Sequence, residues 1–321
     1  MTSRSGLGGV VLSAVSIIAQ GPTGIGYFCD VADMPWEDRG LTARRHGALL
    51  VCDAAIVASI CAREFPGRVH LVTNHLGSVE CESQLLRDKL EPAVRIYQDP
   101  AAFAGAPIDL VLVDRARGTR SFVTTNYHPS STHLIATTRH VRSSVMPARD
   151  RVVAYVDIEL ASDGGRAALQ ASPGLADSDW SVWNVGQVPR LSDAEAWLCG
   201  SSLPENAIIQ ISLGNAELSK QELRWAYRQV TTSPGQTLLV TLGSNGAVWA
   251  NDRDTEAIAV DPVANPFTLG AGAVLASSLV TALADSESPT IGAVIAEAVA
   301  QATRYVQDAS AGGEMLGLRL W

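Results

Sequence analysis

The chain has 321 residues, 47% hydrophobic and 18% charged, with a formal net charge of −9. This length and composition support a full hydrophobic core and exclude a disordered chain. The acidic balance, with no basic run longer than Arg44-Arg45-His46, argues against nucleic acid or an anionic membrane as a partner.

The apolar run from Gly8 to Ala19 has only Arg4 as a cation before it and is too short to span a bilayer. It reads as a first buried strand, Val10 to Ile18. Gly21-Pro22-Thr23-Gly24-Ile25-Gly26 follows; its spacing is not that of a dinucleotide loop, and Pro22 removes an amide that a phosphate would need. The spacing of Ala54, Val57, Ala58 and Cys61 predicts a helix over Leu50 to Arg63. Val69 to Thr73 reads as a strand and Glu82 to Leu90 as a helix. Further strands are expected at Leu110 to Val113, Arg151 to Ile158 and Trp180 to Val185. Ser192, with Glu195 three residues later, has the spacing of a capping box and predicts a helix to Leu198. Ala207 to Ser212 and Thr237 to Thr241 read as strands around a helix at Ser219 to Val230. Two helices, Ala273 to Leu283 and Ile291 to Val306, close the chain.

Strands and helices alternating at this spacing imply a mainly parallel sheet covered on both faces, a three-layer α/β/α architecture. Two stretches break the rhythm. Tyr27 to His46 is irregular, and Tyr97 to His140 reads as short strands around the turn Arg117 to Phe122. Such inserts, at about 27–46 and 97–140, suit a small β-lid over the edge of the sheet where ligands bind. Residues 1–321 then form a single domain. The five cysteines, Cys29, Cys52, Cys61, Cys81 and Cys199, are widely spaced with no Cys-x-x-Cys. They predict reduced thiols in a cytoplasmic protein, with neither a disulfide frame nor a zinc site.

Chemistry is concentrated in the C-terminal third. Asn265-Pro266-Phe267-Thr268-Leu269-Gly270-Ala271-Gly272-Ala273 feeds small residues into an apolar helix. Free N–H groups and the helix dipole at such a start make a cradle for an anion. Upstream, Thr241-Leu242-Gly243-Ser244-Asn245-Gly246 joins two apolar runs by a tight turn. In this order and spacing, the two turns resemble the signature of the ribokinase-type (PfkB) carbohydrate and nucleoside kinases.

The resemblance implies a ribokinase-like fold and ATP-dependent phosphoryl transfer, with Mg²⁺, to a sugar, nucleoside or cyclitol-like acceptor. It implies an anion hole at Gly270, Ala271 and Gly272, and a nucleotide near Thr241, Gly243, Ser244, Gly246 and Thr268. Glu195 falls where the family has the glutamate of Asn-x-x-Glu, which implies a contact to Mg²⁺ through water. Family members also dimerise through the lid. Several positions depart from the pattern. The catalytic aspartate of the family is Ala273 here, Phe267 and Leu269 replace polar residues of the signature, and the sugar-binding Gly-Gly pair aligns with Ala48-Leu49. Asp53, Asp157 and Asp261 are the carboxylates available to replace the missing base. Without a base the same fold would serve as a pseudokinase that binds nucleotide, sugar phosphate or a partner, or as a repurposed phosphate-binding enzyme.

Overall fold

The structure is a computed structural model, and it describes residues 14–32, 42–43, 45–76, 80–99, 106–114, 116–117, 119–125, 131–148, 150–158, 178–198, 203–231, 233–264 and 266–312. The first strand, β1 (Val15–Gln20), lies further along the chain than expected, and residues 10–13 of its expected span lie outside the described residues. It forms the middle of a nine-stranded sheet with β4 (Val69–Asn74), β5 (Arg95–Asp99), β8 (Arg151–Asp157), β9 (Trp180–Gln187), β10 (Ala207–Ser212), β11 (Thr237–Thr241), β12 (Ala247–Ala250) and β13 (Thr255–Ile258). The order is β13-β12-β11-β10-β9-β8-β1-β4-β5. Seven strands run parallel, and β12 and β13 turn back antiparallel at one edge. Continuous apolar runs such as Val152 to Val156 are buried on both faces, as parallel strands between two helical layers require.

Helices α1 (Asp53–Glu64), α2 (Glu80–Lys89), α6 (Ala271–Asp285) and α7 (Ile291–Ser310) share one core with Ile17, Leu71, Val153, Tyr155 and Val182. On the opposite face α4 (Leu191–Leu198) and α5 (Lys220–Val230) pack on Ala154, Val156, Trp183 and Ile209. Beside them α3 (Ser131–Ser144) covers Ile18, Val72 and Val152. The three-layer α/β/α arrangement read from the sequence is the one observed. No helix among the described residues is long and apolar enough to cross a membrane.

The irregular stretches resolve differently from their sequence reading. Residues in 27–46 contribute to β2 (Gly24–Val31) and β3 (Arg45–Val51), which pair antiparallel; β2 also pairs with β6 (Ile108–Asp114), and β6 with β7 (Thr119–Thr125). This second sheet, of order β3-β2-β6-β7, packs its inner side chains Phe28, Leu49, Val51 and Val111 against Phe267, Val274 and Tyr305. In 97–140, by contrast, β5 joins the large sheet and residues 131–140 belong to the helix α3. The helix expected from Leu50 starts only at Asp53, because Leu49 to Val51 are paired in β3. The capping box expected at Ser192 does not form, since α4 already begins at Leu191. It forms at Ser219, whose hydroxyl accepts from the Glu222 amide while the Glu222 carboxylate accepts from the Ser219 amide.

The strand order reverses between β1 and β8, and crevices at such a reversal are where open α/β sheets bind ligands. Gly21, directly after β1, lets the chain close there: a Cβ on it would lie 2.7 Å from Asp157 Cβ and 2.8 Å from Ala54 Cβ. Gly21→Ala is therefore expected to lower stability by about 1–3 kcal/mol through overpacking, read as a lower midpoint in urea denaturation.

Candidate functional site

Helix α1 begins without a side-chain cap of its own; the residue before it, Cys52, has φ 70° and makes no capping hydrogen bond. A non-glycine residue rarely takes this left-handed conformation. The cap comes from another strand. Asp157, at the end of β8, accepts the Asp53 N–H through Oδ2 at 3.1 Å and is also bonded by the Ala54 amide. Asn184, 5% exposed and paired in register with Asp157, donates from Nδ2 to Asp53 Oδ2 at 3.0 Å and to Asp157 Oδ1 at 3.3 Å. The Asn184 Oδ1 accepts from the Gly186 amide at 3.2 Å.

Helix α6 starts beside this cluster. Gly270, with φ 88° and ψ −7°, brings the chain into the helix and offers no side chain as a cap. The turn is held from behind. The Tyr305 hydroxyl donates to Leu269 O at 2.6 Å, the Phe267 amide donates to Ser310 Oγ at 2.8 Å, and Arg120 Nη1 donates to Thr268 O at 3.4 Å. Ala271 N–H is turned back onto Thr268 O at 3.2 Å, so this expected member of the anion hole is engaged within the turn. The first helical bond runs from Val274 N to Gly270 O, and the helix supplies no acceptor for the amides of Gly272 and Ala273. Gly272 is exposed, and a Cβ built on it would lie 3.7 Å from Asp53 Oδ2. A carboxylate thus stands at the anion turn, although position 273 itself is an alanine with no exposed surface.

Both carboxyls sit half-buried among protein groups. Burial raises the Asp53 carboxyl above its ordinary range, opposed by the Arg120 guanidinium and the Asn184 hydrogen bond. Burial, then the neighbouring Asp53, pushes Asp157 up to about 8 against the pull of the α1 amides and Asn184. Two like charges this close do not ionise independently, so the titration belongs to the pair. Tyr155, fully buried one turn of the strand below, is raised by burial and then by the same two carboxyls. Its hydroxyl is buried beside the Asn184 amide with no hydrogen bond of ordinary geometry among the described residues.

The structure brings together Asp53, Asp157, Thr268 and the turn Gly270 to Gly272. Asp261 is exposed on the connection between β13 and α6, and no hydrogen bond or ion pair joins it to that cluster among the described residues. Thr241 ends β11, and Gly243 to Asn245 form one turn of 3-10 helix. This turn lies on the same edge of the sheet as Asp157, three strand spacings or about 14 Å away. The amide and hydroxyl of Ser244 both donate to Asn215 Oδ1, so they are spent on the loop after β10. Gly246 has φ 84° and its Cβ would fall 2.0 Å from Ile258 O, so glycine is required there for packing. Glu195 is half-buried on α4, in the layer opposite α1 and α6, with its carboxyl raised by burial.

Phe267, which replaces a polar residue of the signature, is fully buried against Phe28, ring centroids 6.2 Å apart, with the Arg45 guanidinium 4.9 Å above its ring. Ala48 and Leu49 are buried within β3, and the glycine-like backbone beside the site is Cys52. Ser192 plays no capping part, and the polar side chain that reaches the carboxylates is Asn184. A lone amide in the apolar run Val182-Trp183-Asn184-Val185 was the available signal for it.

No family model matches the sequence, and no curated protein aligns with it. Solved structures do match over nearly the whole chain. Ribokinase from Giardia lamblia has a TM-score of 0.70 at 15% identity, over 96% of this chain and 97% of that one. A microbiome-derived acarbose kinase has a TM-score of 0.61 at 15% identity, over 95% of this chain and 94% of that one. Arabidopsis thaliana ribokinase, solved with ribose and ATP, has a TM-score of 0.56 at 16% identity, over 92% of this chain and 93% of that one.

The Asp157 carboxyl makes a prediction about stability. Folded, it keeps its proton up to about pH 8, whereas an ordinary carboxyl loses it near 3.8. Between these values the folded state binds more protons, so its contribution falls as pH rises. Asp157→Asn does not titrate. Urea denaturation from about pH 5 to about pH 9 is expected to show wild type losing stability relative to Asp157→Asn. Overall, the chain has the fold of the ribokinase-type carbohydrate and nucleoside kinases.

Proposed function

We propose that this protein is an ATP-dependent phosphotransferase acting on a small hydroxylated acceptor of the sugar, nucleoside or cyclitol kind, with Asp53 as the general base. The observation that carries this reading is the Asp53 carboxylate lying against Gly272, at the open start of α6, while position 273 is alanine. The base has moved from the first turn of one helix to the first residue of another.

The chemistry follows from that arrangement. The start of α6 fits a phosphate: Gly272 is exposed, the helix supplies its amide with no acceptor, the helix dipole adds positive potential, and no side chain caps this end. ATP would supply the phosphoryl group and Mg²⁺ would neutralise phosphate charge. The described residues contain no group of three His, Cys, Asp or Glu side chains placed for a metal, which fits an ion held mostly by water and phosphate oxygens. Arg120, exposed on β7 and electrostatically coupled to Asp53, offers positive charge to the same place from the second sheet, which we assign as the lid. Asp53 takes the proton of the acceptor hydroxyl as that oxygen attacks. Phosphoryl transfer depends mainly on positioning and charge stabilisation, and those parts of the site are present. A carboxyl raised toward neutral pH is also a better proton acceptor than an ordinary one.

The test is ADP release in a panel of sugars, nucleosides and cyclitols with ATP and Mg²⁺. Asp53→Asn is expected to lower kcat by about 10²–10⁴-fold. With a productive acceptor, activity should fall as pH drops through the raised Asp53 titration. In Asp157→Asn the acid limb should stay near its wild-type position, because Asp157 keeps its proton up to about pH 8 and is uncharged while Asp53 titrates. Thermal stabilisation by ATP or a sugar phosphate, with no turnover of any acceptor, would sink the transferase reading in favour of a binding protein.

A further inference from the structure

Taking Asp53 as the proton acceptor, we propose that Asn184 is a positioning residue: its amide, clamped at one end by the Gly186 N–H, holds Asp53 Oδ2 against the start of α6 and ties it to Asp157. The orientation of the amide follows from the donor arithmetic. A primary amide has two N–H donors and one acceptor oxygen. The Asn184 oxygen is taken by the Gly186 amide at 3.2 Å, so its nitrogen must face the carboxylates. Both hydrogens are then used, at 3.0 Å to Asp53 and 3.3 Å to Asp157. Gly186 is in the left-handed region, φ 81°, with nothing within 4 Å of its Cβ position. The turn after Asn184 is thus shaped to return its own N–H to the side chain and not to make room for a neighbour.

The oxygen that Asn184 holds is the one facing Gly272. Asp53 is the first residue of its helix, where an aspartate side chain otherwise has several rotamers and solvent within reach. The other charged and titratable groups around it are Asp157 and Tyr155 on β8, Cys52 before α1, and Arg120 on β7. Ionised Asp53 opposes ionisation of Asp157 and Tyr155, while Arg120 and Asn184 favour the ionised form of Asp53. Asn184 carries no charge, so it fixes direction without adding any. Hydrogen bonds to an ionised acceptor are the strong kind, roughly twice a neutral one.

The experiment uses the full chain and the variants Asn184→Ala and Asn184→Ser, the second keeping one hydroxyl donor. Asp53 and Asp157 are followed by carbon-13 carboxyl titration, with Asp53→Asn and Asp157→Asn identifying the signals, and ADP release is measured in parallel. In Asn184→Ala the Asp53 midpoint is expected to move upward, the acid limb of activity to move with it, and kcat to fall about tenfold with little change in KM. Asn184→Ser is expected to fall between the two. A folded Asn184→Ala variant whose carboxyls titrate as in wild type overturns the positioning role and leaves Asp53 as the base. An Asp53→Asn variant as active as wild type overturns the base itself.

Discussion

One carboxylate organises this site from beneath. Asp157 ends a buried strand and accepts the first two amides of α1, a helix whose preceding residue cannot cap it. Those amides would otherwise be orphaned in a low-dielectric crevice, and an unpaired buried donor is expensive. Gly21 permits the approach, since any side chain there would collide with Asp157 and Ala54. Once α1 is docked in this way, its first side chain, Asp53, lies beside the start of α6, and Asn184 fixes the direction it takes. The place of the candidate base is thus a consequence of how β8 caps α1.

Much of this was legible in the sequence, for identifiable reasons. Parallel strands buried on both faces write themselves as unbroken apolar runs, so β8, β10 and β11 were read with nearly correct ends. The Gly270-Ala271-Gly272 turn was legible because a helix start that needs a left-handed residue needs glycine. Asp53 and Asp157 were named as carboxylates, but their meeting could not be read from positions 104 residues apart. Only the strand order, which places β8 beside β1, brings them together. Tyr27 to His46 was read as irregular, whereas its two ends lie in β2 and β3, stabilised by pairing and by one apolar face packed on Phe267 and Val274, a tertiary effect that outweighs local propensity. Asn184 was missed because a single amide in an apolar strand carries no spacing signal.

The departures from the ribokinase signature also take on a common cause. Phe267 and Leu269 are apolar because this stretch forms the underside of the turn, buried against the second sheet and α7. Arg45, held by Asp30 at 3.2 Å and lying over Phe267, closes the same underside. The turn is therefore braced by packing and by Tyr305, where a more polar sequence would use side-chain hydrogen bonds. Bracing from below leaves the outward face at Gly272 free of side chains.

The charge balance at that face decides what it can hold. A lone carboxylate beside a phosphate would repel it, and two would do so more strongly. The pair avoids this by burial and mutual repulsion, which keep a proton on it at neutral pH. Arg120 then meets a site of reduced negative charge, and the dipole of α6 adds to its attraction for an anion. When a hydroxyl gives up its proton during attack, the proton passes to a carboxylate already flanked by Asn184 and Arg120, and the charge goes with the attacking oxygen. The same coupling that delays ionisation in the resting site lets the pair accept a proton near neutral pH, which an isolated exposed aspartate does poorly. An alanine at position 273 is compatible with this arrangement for a further reason. It is fully buried, and a carboxylate there would be desolvated.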